Sequence, residues 1–227
     1  MLKAVIFDFD GVICDSEYLH YRALNAVFQR YGVDVPKGVH WDKYLGYTDA
    51  ENIEAVNRDY AMGLDAAGIR TIMAEKKEAF DAMARAESLV IEGVEPFVRM
   101  LMENGIDLAI CSGALRSDID LMLNGSGFAD AFKVIVTADD ITKGKPDPQG
   151  YRLALDKLNA FGGGDIKPLN CVVIEDSHWG LEAAATAGMH TVAVTNTYGR
   201  AELEGKAELI VDRLDLISCK MLRGLCG

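Results

Sequence analysis

The sequence predicts an α/β fold, in which a Rossmann-like parallel sheet carries helices on both faces and a small all-helical domain is added to it. Three observations support this. Short β-rich runs alternate with helical patterns, these runs are almost continuously apolar, and one long interval shows helical periodicity only. The β-rich runs cover residues 5–9, 108–111, 134–136, 171–174, 190–194 and 209–211.

Helical patterns lie between most of these runs, for example over residues 96–104, 117–123, 151–158 and 181–187. Strands that alternate with helices predict a parallel sheet. A sheet covered on both faces needs strands that are apolar along their whole length, and these runs have that character.

The interval from residue 16 to residue 91 contains no strand pattern. Its first helical stripe is formed by Leu19, Ala23, Leu24, Val27, Phe28 and Tyr31. Further helical patterns surround Ile53 and Ile72. The interval is too long for one crossover helix. We therefore predict a small all-helical domain over 16–91, inserted into an α/β core domain formed by 1–15 and 92–227.

Composition narrows the class of function. The chain has 227 residues, half of them hydrophobic, and a formal net charge of −12, which argues against a nucleic-acid surface and an anionic membrane partner. No apolar run approaches the roughly 18 residues of a membrane span. The five cysteines contain no Cys-x-x-Cys pair. This favours reduced thiols in a cytoplasmic protein over a disulfide framework or a zinc site.

Two acids follow the first predicted strand. Asp8 and Asp10 are two positions apart, so in an extended chain they face the same way, and Gly11 allows a sharp turn after them. Two carboxylates about 4 Å apart repel by roughly 4 kcal/mol at an effective dielectric constant near 20, so they need a cation or a proton. Asp-x-Asp-Gly also occurs in turns and calcium loops. A calcium loop needs a third ligand and a distant glutamate after its glycine, and Val12, Ile13 and Cys14 supply neither.

Ligands of open α/β sheets bind at the carboxyl ends of the strands, so the other strand ends are candidates too. Ser112 and Gly113 follow the second run; they suit an anion cradle, but Ser-Gly is also common in ordinary turns. Lys145 follows the third run. Pro146 restricts its backbone, which suits a fixed positive charge, although a solvated loop lysine is equally compatible.

Glu175 and Asp176 end the fourth run. Adjacent acids at the end of a buried strand need a cation or strong donors, and carboxylates are the ligands that Mg²⁺ prefers. The alternative is a helix cap, with Asp176 or Ser177 beginning the next helix. The two readings are compatible.

Together, the segment from Asp8 to Gly11, Ser112, Lys145 and the Glu175-Asp176 pair resemble the four motifs of the haloacid dehalogenase superfamily in order and spacing. The helical insertion resembles that superfamily's first type of cap. The first motif is most similar to the β-phosphoglucomutase-like and phosphoglycolate-phosphatase-like branch. The resemblance implies Mg²⁺, a covalent aspartyl phosphate and a small phosphorylated metabolite as substrate.

The resemblance also implies roles for the matching positions. Asp8 is the expected nucleophile and Asp10 the expected general acid and base. Ser112 and Lys145 are expected to act on the phosphoryl group. Further expected phosphate contacts come from Gly11 and Gly113. Apart from the resemblance, the positive charge of Lys76 or Lys77 is a candidate to meet an anionic group of the substrate distal to the reacting phosphate. The expected metal ligands are Asp8, Asp176 and the backbone carbonyl of Asp10, with Glu175 assisting directly or through a metal-bound water.

Two cap positions bear on the substrate. His20 lies where a histidine of this branch is associated with coupling cap closure to acid–base catalysis, although a helix-packing histidine fits equally well. In the segment 46–49, Asp49 stands where β-phosphoglucomutases carry an arginine that holds a second phosphate. We therefore expect phosphate hydrolysis first and a sugar phosphomutase second. A non-catalytic scaffold on the same fold is a third alternative, and we expect a monomer or small homo-oligomer.

Overall fold

The computed structural model describes residues 1–45, 47–87, 89–162 and 164–227. Its contacts divide the chain into two compact units, and each is described by itself. The core unit contains Met1–Asp15 and Leu89–Gly227, and the cap unit contains Ser16–Ser88.

The core unit is built on six parallel strands in the spatial order β3-β2-β1-β4-β5-β6. The α/β fold with a parallel sheet is thus confirmed. The observed strands begin or end one to two residues away from several of the predicted ones. They are β1 Ala4–Phe7, β2 Asp107–Cys111, β3 Phe132–Val136, β4 Cys171–Glu175, β5 His190–Val194 and β6 Leu209–Val211.

Helices occupy both units. The cap unit has α1 Ser16–Arg30, α2 Lys37–Lys43, α3 Asp49–Asp59 and α4 Ala66–Ala86. The core unit has α5 Val94–Glu103, α6 Arg116–Leu123, α7 Gln149–Gly162, α8 His178–Thr186, α9 Arg200–Leu203 and α10 Cys219–Leu225. The sequence patterns did not predict α2, α9 or α10. Within the described parts of the chain, none of the helices is long and apolar enough to cross a membrane.

Alternate strand residues pack on opposite faces of the sheet, as the two-residue period of a strand requires. Ala4 and Ile6 of β1 belong to the apolar cluster that α7 and α8 complete through residues such as Tyr151 and Ala183. Phe7 points to the other face, where its ring meets Phe97 of α5 edge-on at 5.8 Å between ring centroids.

The cap unit has a small apolar core of its own. Leu24, Val27 and Phe28 of α1 pack with Ile53 of α3 and Ile72 of α4. The predicted α1 stripe is buried up to Phe28. Tyr31, at the end of that stripe, is exposed because the helix ends at Arg30, and its hydroxyl donates to Glu75 at 3.1 Å.

The register of the central strands positions the candidate site. Phe7 of β1 is paired with Ile110 of β2 on one side and with Ile174 of β4 on the other. The three strands therefore end at the same level, and the residues that follow them are neighbours in space.

Candidate active site

The polar residues that follow β1 lie at the carboxyl edge of the sheet. The Asp8 amide N–H still donates to the Ile174 carbonyl of β4 at 2.9 Å, so the backbone continues the strand at this residue. Phe9 is completely buried. The side chain of Asp8 contacts Lys145, and the side chain of Asp10 contacts Ser112.

Lys145 joins two of the buried acids. Its Nζ atom lies 2.5 Å from Asp8 Oδ1 and 2.6 Å from Glu175 Oε1. The ammonium also lies 5.2 Å from the ring centroid of Tyr151, on the ring face. The loop that carries Lys145 includes a cis peptide bond to Pro146. Residues separated by 137 positions in the chain are thus in direct contact.

The electrostatics of this group follow from burial and proximity. Burial raises the pKa of Asp8 well above its ordinary value, and Lys145 offsets that effect only in part. Burial disfavours the charged form of Lys145, but Asp8 and Glu175 outweigh it and hold the pKa of Lys145 well above its usual range. Burial likewise opposes the charge of Glu175. The Lys145 ammonium and several hydrogen bonds outweigh it, so the pKa of Glu175 is lowered.

Glu175 is completely buried, and both of its oxygens are engaged. Oε1 accepts hydrogen bonds from Lys145 Nζ and from the Tyr151 hydroxyl at 2.8 Å. Oε2 accepts from the amides of Asp176 and Ser177 and from the Ser177 hydroxyl, at 2.9–3.0 Å. Glu175 therefore holds Lys145 in place. Its expected contact with a metal stays a prediction.

Close packing around Glu175 requires a glycine in α8. A Cβ atom added to Gly180 would lie 1.6 Å from Glu175 Oε1. Ser177 begins this helix as its N-cap, because its side chain accepts the Gly180 amide at 3.1 Å. The helix-cap interpretation of this segment is therefore correct for Ser177.

Asp176 lies beside the turn that follows the first motif. Its Oδ2 atom accepts a short hydrogen bond from the Thr197 hydroxyl. Gly11 has a φ of +74°, and a Cβ atom there would lie 1.9 Å from the same oxygen, so only glycine fits. Burial, with repulsion from Glu175, raises the pKa of Asp176 to about 7.

A divalent cation suits this arrangement. One carboxylate oxygen from each of Asp8, Glu175 and Asp176 lies within 4.8 Å of the others, and all three residues are buried. When all are ionised, the three carboxylates exceed the charge of Lys145 by two. Burial, together with repulsion among the acids, raises the pKa values of Asp8 and Asp176, and a divalent cation would offset that repulsion. An all-oxygen donor set is typical of Mg²⁺. Asp10 is not in this group, so its expected metal contact stays a prediction.

Ser112 and Asp10 form a second contact at the same edge. The Ser112 hydroxyl donates to Asp10 Oδ2 at 3.1 Å and accepts the Ala114 amide at 2.9 Å. The serine is almost completely buried, whereas Gly113 is exposed, and a Cβ atom there would meet nothing within 4 Å. The structure therefore brings Ser112 to Asp10. The expected phosphate contacts of Ser112 and Gly113 stay predictions.

The predicted cap residues His20 and Lys76 contact each other within the cap unit. Lys76 has only 4% of its side chain exposed. Its Nζ atom donates to Asp49 Oδ2 at 2.6 Å and to His20 Nδ1 at 2.7 Å, and the His20 ring stacks on Phe80 at 4.4 Å. Because an ammonium has no acceptor, His20 Nδ1 must act as the acceptor. Gly46, the first residue of the segment 46–49, lies outside the described residues.

The sequence interpretation missed three residues of this site. Tyr151 carries no signal of its own, because a tyrosine on the apolar face of a helix is normally part of the core. Asn196 and Thr197 did have a signal, since they follow β5 and the carboxyl ends of strands were the places to inspect. Asn196 donates to the Gly11 carbonyl at 2.7 Å.

Comparison with known proteins agrees with this geometry. The family model of the haloacid dehalogenase-like hydrolases matches residues 5–194. The chain is 31% identical to the protein CbbY of Cereibacter sphaeroides, with coverage of 100% of this chain and 96% of that protein. It is 29% identical to the phosphorylated carbohydrates phosphatase of Thermotoga maritima, with coverage of 96% and 97%.

A solved structure supports the fold. The β-phosphoglucomutase of Clostridium difficile superposes with a TM-score of 0.77 at 24% identity, over 100% of this chain and 97% of that one. The resemblance predicted from the four motifs is confirmed: the chain belongs to the haloacid dehalogenase-like hydrolases, in the branch of phosphatases and β-phosphoglucomutase-like proteins.

Proposed function

We propose that the chain is a Mg²⁺-dependent phosphatase that hydrolyses a small phosphorylated metabolite, a sugar phosphate or a phosphoglycolate-like compound, through an aspartyl phosphate. It is a phosphoric monoester hydrolase of its superfamily. The observation that carries the proposal is the contact of the Lys145 ammonium with both Asp8 and Glu175, beside Asp176. Such a group holds one reactive carboxylate among fixed charges, as phosphoryl transfer requires.

The first chemical step belongs to Asp8 and Asp10. One Asp8 oxygen attacks phosphorus while the bond from phosphorus to the ester oxygen breaks, and the Asp10 carboxyl group gives its proton to the leaving oxygen. Lys145 fixes the orientation of the Asp8 carboxylate by its contact with Oδ1. The Ser112 hydroxyl orients Asp10 through its hydrogen bond to Oδ2.

The second step returns the enzyme to its starting state. Asp10, now ionised, takes a proton from a water molecule, and the water oxygen attacks the phosphorus of the aspartyl phosphate. The bond between Asp8 and phosphorus breaks, which releases phosphate and restores both carboxyl groups. Asp8 and Asp176 would hold the Mg²⁺ ion, and the ion would supply charge neutralisation of the phosphoryl oxygens.

The cap unit bears on the choice of substrate. Asp49, which is partly exposed, neutralises the buried Lys76, so this part of the cap offers no excess positive charge to a second phosphate. This favours a monophosphate over a bisphosphate, and hydrolysis over phosphomutase activity. A relative at 29% identity is a phosphatase of phosphorylated carbohydrates, which supports a sugar phosphate.

A test of the reaction compares Asp8→Asn with Asp156→Asn, the same substitution at an exposed site on α7. The proteins would be assayed against a panel of sugar phosphates and phosphoglycolate, with Mg²⁺ and with EDTA. We expect wild type and Asp156→Asn to release phosphate only with Mg²⁺. Asp8→Asn should lose at least about a thousandfold in kcat, because the nucleophile is gone.

Two outcomes would favour the alternatives. Interconversion of a sugar 1-phosphate and 6-phosphate without phosphate release would indicate a phosphomutase. A wild type that turns over no substrate, together with an Asp8→Asn variant that still binds the same ligand or partner, would indicate a scaffold.

The cysteines support a reducing compartment, and we propose a cytoplasmic enzyme. All five are free thiols. Burial raises the pKa of Cys111 to about 12, so this thiol, next to the site, is inert. A monomer or small homo-oligomer remains the expected state.

A further inference from the structure

The loop that follows β5 reaches the group of buried acids. Its residue Thr197 donates its hydroxyl hydrogen to Asp176 Oδ2 in a short hydrogen bond. A hydroxyl bonded to a carboxylate makes a charge-assisted hydrogen bond, which is stronger than one between neutral groups. One of the two Asp176 oxygens is thereby committed to a protein donor.

The same loop is attached to the turn after the first motif. Asn196 donates from Nδ2 to the Gly11 carbonyl at 2.7 Å. A Cβ atom at Gly11 would lie 2.9 Å from Thr197 Oγ1 as well as 1.9 Å from Asp176 Oδ2, so the backbone turn, the carboxylate and the hydroxyl are in close contact. Two adjacent side chains of one loop thus join the segments that carry Asp10 and Asp176.

This arrangement determines how Asp176 is presented. With Oδ2 engaged by Thr197, a rotation of the carboxylate would break that hydrogen bond. The carboxylate is therefore held in one orientation, and Oδ1 is the oxygen that Thr197 does not engage. Mg²⁺ demands near-ideal octahedral geometry and a small number of carboxylate ligands, so it benefits from a carboxylate held in one orientation.

We propose that Thr197 is a positioning residue of the site, which orients Asp176 for Mg²⁺ while Asn196 anchors the loop to Gly11. The proposal rests on the proposed function to the extent that the site takes up a divalent cation. Thr197 and Asn196 are both exposed, so neither supplies much of the apolar core. Their side chains act through Asp176 and Gly11.

The loop offers a matched control. The Thr195 hydroxyl, two residues earlier, donates to Asp212 at 3.0 Å. Thr195→Val and Thr197→Val therefore remove the same hydroxyl group from the same loop, with the same change in volume. Only the second removes a donor from Asp176. Thr197→Ser keeps the donor and serves as the conservative rescue.

The test measures Mg²⁺ binding directly, by isothermal titration calorimetry on the full-length protein, and then the Mg²⁺ dependence of phosphate release. We expect Thr197→Val to weaken Mg²⁺ binding about tenfold, the lower end of the effect of second-layer groups on metal sites. Its kcat at saturating Mg²⁺ should stay within about threefold of wild type, because a positioning residue alters the occupancy of the site more than the chemistry. Thr195→Val and Thr197→Ser should bind Mg²⁺ within about twofold of wild type.

The outcomes separate the two proposals. Equal Mg²⁺ affinity of Thr197→Val and Thr195→Val, in a protein whose wild type binds Mg²⁺ and releases phosphate, would overturn the positioning role alone. A wild type that neither binds Mg²⁺ nor releases phosphate would overturn both. Circular dichroism of the metal-free variants checks that the loop substitution leaves the fold intact. A fold lost in Thr197→Val but kept in Thr197→Ser, with reduced Mg²⁺ affinity in Asn196→Ala, would still support the role of the loop.

Discussion

Replacing Lys145 by alanine removes the ammonium that lies between Asp8 and Glu175. Both ion pairs are largely shielded from water: the exposed fraction of the side chain is 19% for Lys145, 10% for Asp8 and zero for Glu175. Breaking a buried ion pair by removing one partner costs about 3–5 kcal/mol, because the remaining charge is left uncompensated. Glu175 keeps its other four hydrogen-bond donors. We therefore expect a loss near the lower end, about 3 kcal/mol in the free energy of unfolding.

The pH dependence of this loss follows from the same contacts. The pKa of Asp8 is already raised by burial, and it should rise further without Lys145. A protonated Asp8 does not need a cation, so the cost of the substitution should shrink as the pH falls. We expect the full effect near pH 8 and a clearly smaller effect near pH 5.

The assay is urea unfolding of the metal-free protein at both pH values, with Lys143→Ala as the control. Lys143 lies in the same loop, but its side chain is 72% exposed and its ion pair with Asp147 spans 3.6 Å. Exposed pairs contribute about 0–1 kcal/mol, so the control should change little. If the free energies of unfolding of the two variants differ by less than about 1 kcal/mol near pH 8, the buried ion pairs do not stabilise the fold by the expected amount.

Three further predictions concern the same group of residues. Gly180→Ala should lower the free energy of unfolding by about 3 kcal/mol, since its methyl group would lie 1.6 Å from Glu175 Oε1, while Gly164→Ala, with open space around it, should have no such effect in urea unfolding. Tyr151→Phe removes a buried donor to Glu175 and should cost about 1–2 kcal/mol in the same assay, and a neutral result would argue against that hydrogen bond. In the metal-free enzyme the pKa of Asp176 is about 7, so Mg²⁺ must displace its proton below that pH. Calorimetry should find Mg²⁺ affinity rising with pH through pH 7, since the pKa of Asp8, the other proposed ligand, is also raised, and affinity that is flat between pH 6 and 7 would contradict this.

Much of the fold was predictable because local patterns are enough to identify its elements. Apolar runs of four or five residues, separated by helical patterns, predicted the parallel sheet. All of the predicted strand bounds lie within two residues of the observed ones. The sequence patterns missed the short helices α2, α9 and α10, because helices of four to seven residues have too few turns to show a clear period. The functional division of the chain into a core domain and a cap domain stays a prediction.

Candidate residues at the strand ends were predictable for the same reason. The two-residue period of a strand shows which side chains point the same way, so the sequence alone predicts that Asp8 and Asp10 face the same site. Their actual neighbours could not be identified in this way. Asp10 pairs with Ser112, 102 residues away, and Asp8 with Lys145, 137 residues away.

The sequence by itself predicted the sheet, the acidic residues at the strand ends and the chemistry that such residues support. All three depend on residue types at short, regular spacing. Only the tertiary structure showed that the acids differ in their hydrogen-bond partners. Glu175 is satisfied by donors from α7, from Lys145 and from its own turn, whereas Asp176 has one oxygen held by Thr197. Tertiary packing brings hydrogen-bond donors to these acids from distant parts of the chain. It thereby decides which acid has all its acceptor sites filled and which can bind a cation, and the spacing of residues in the sequence does not show this.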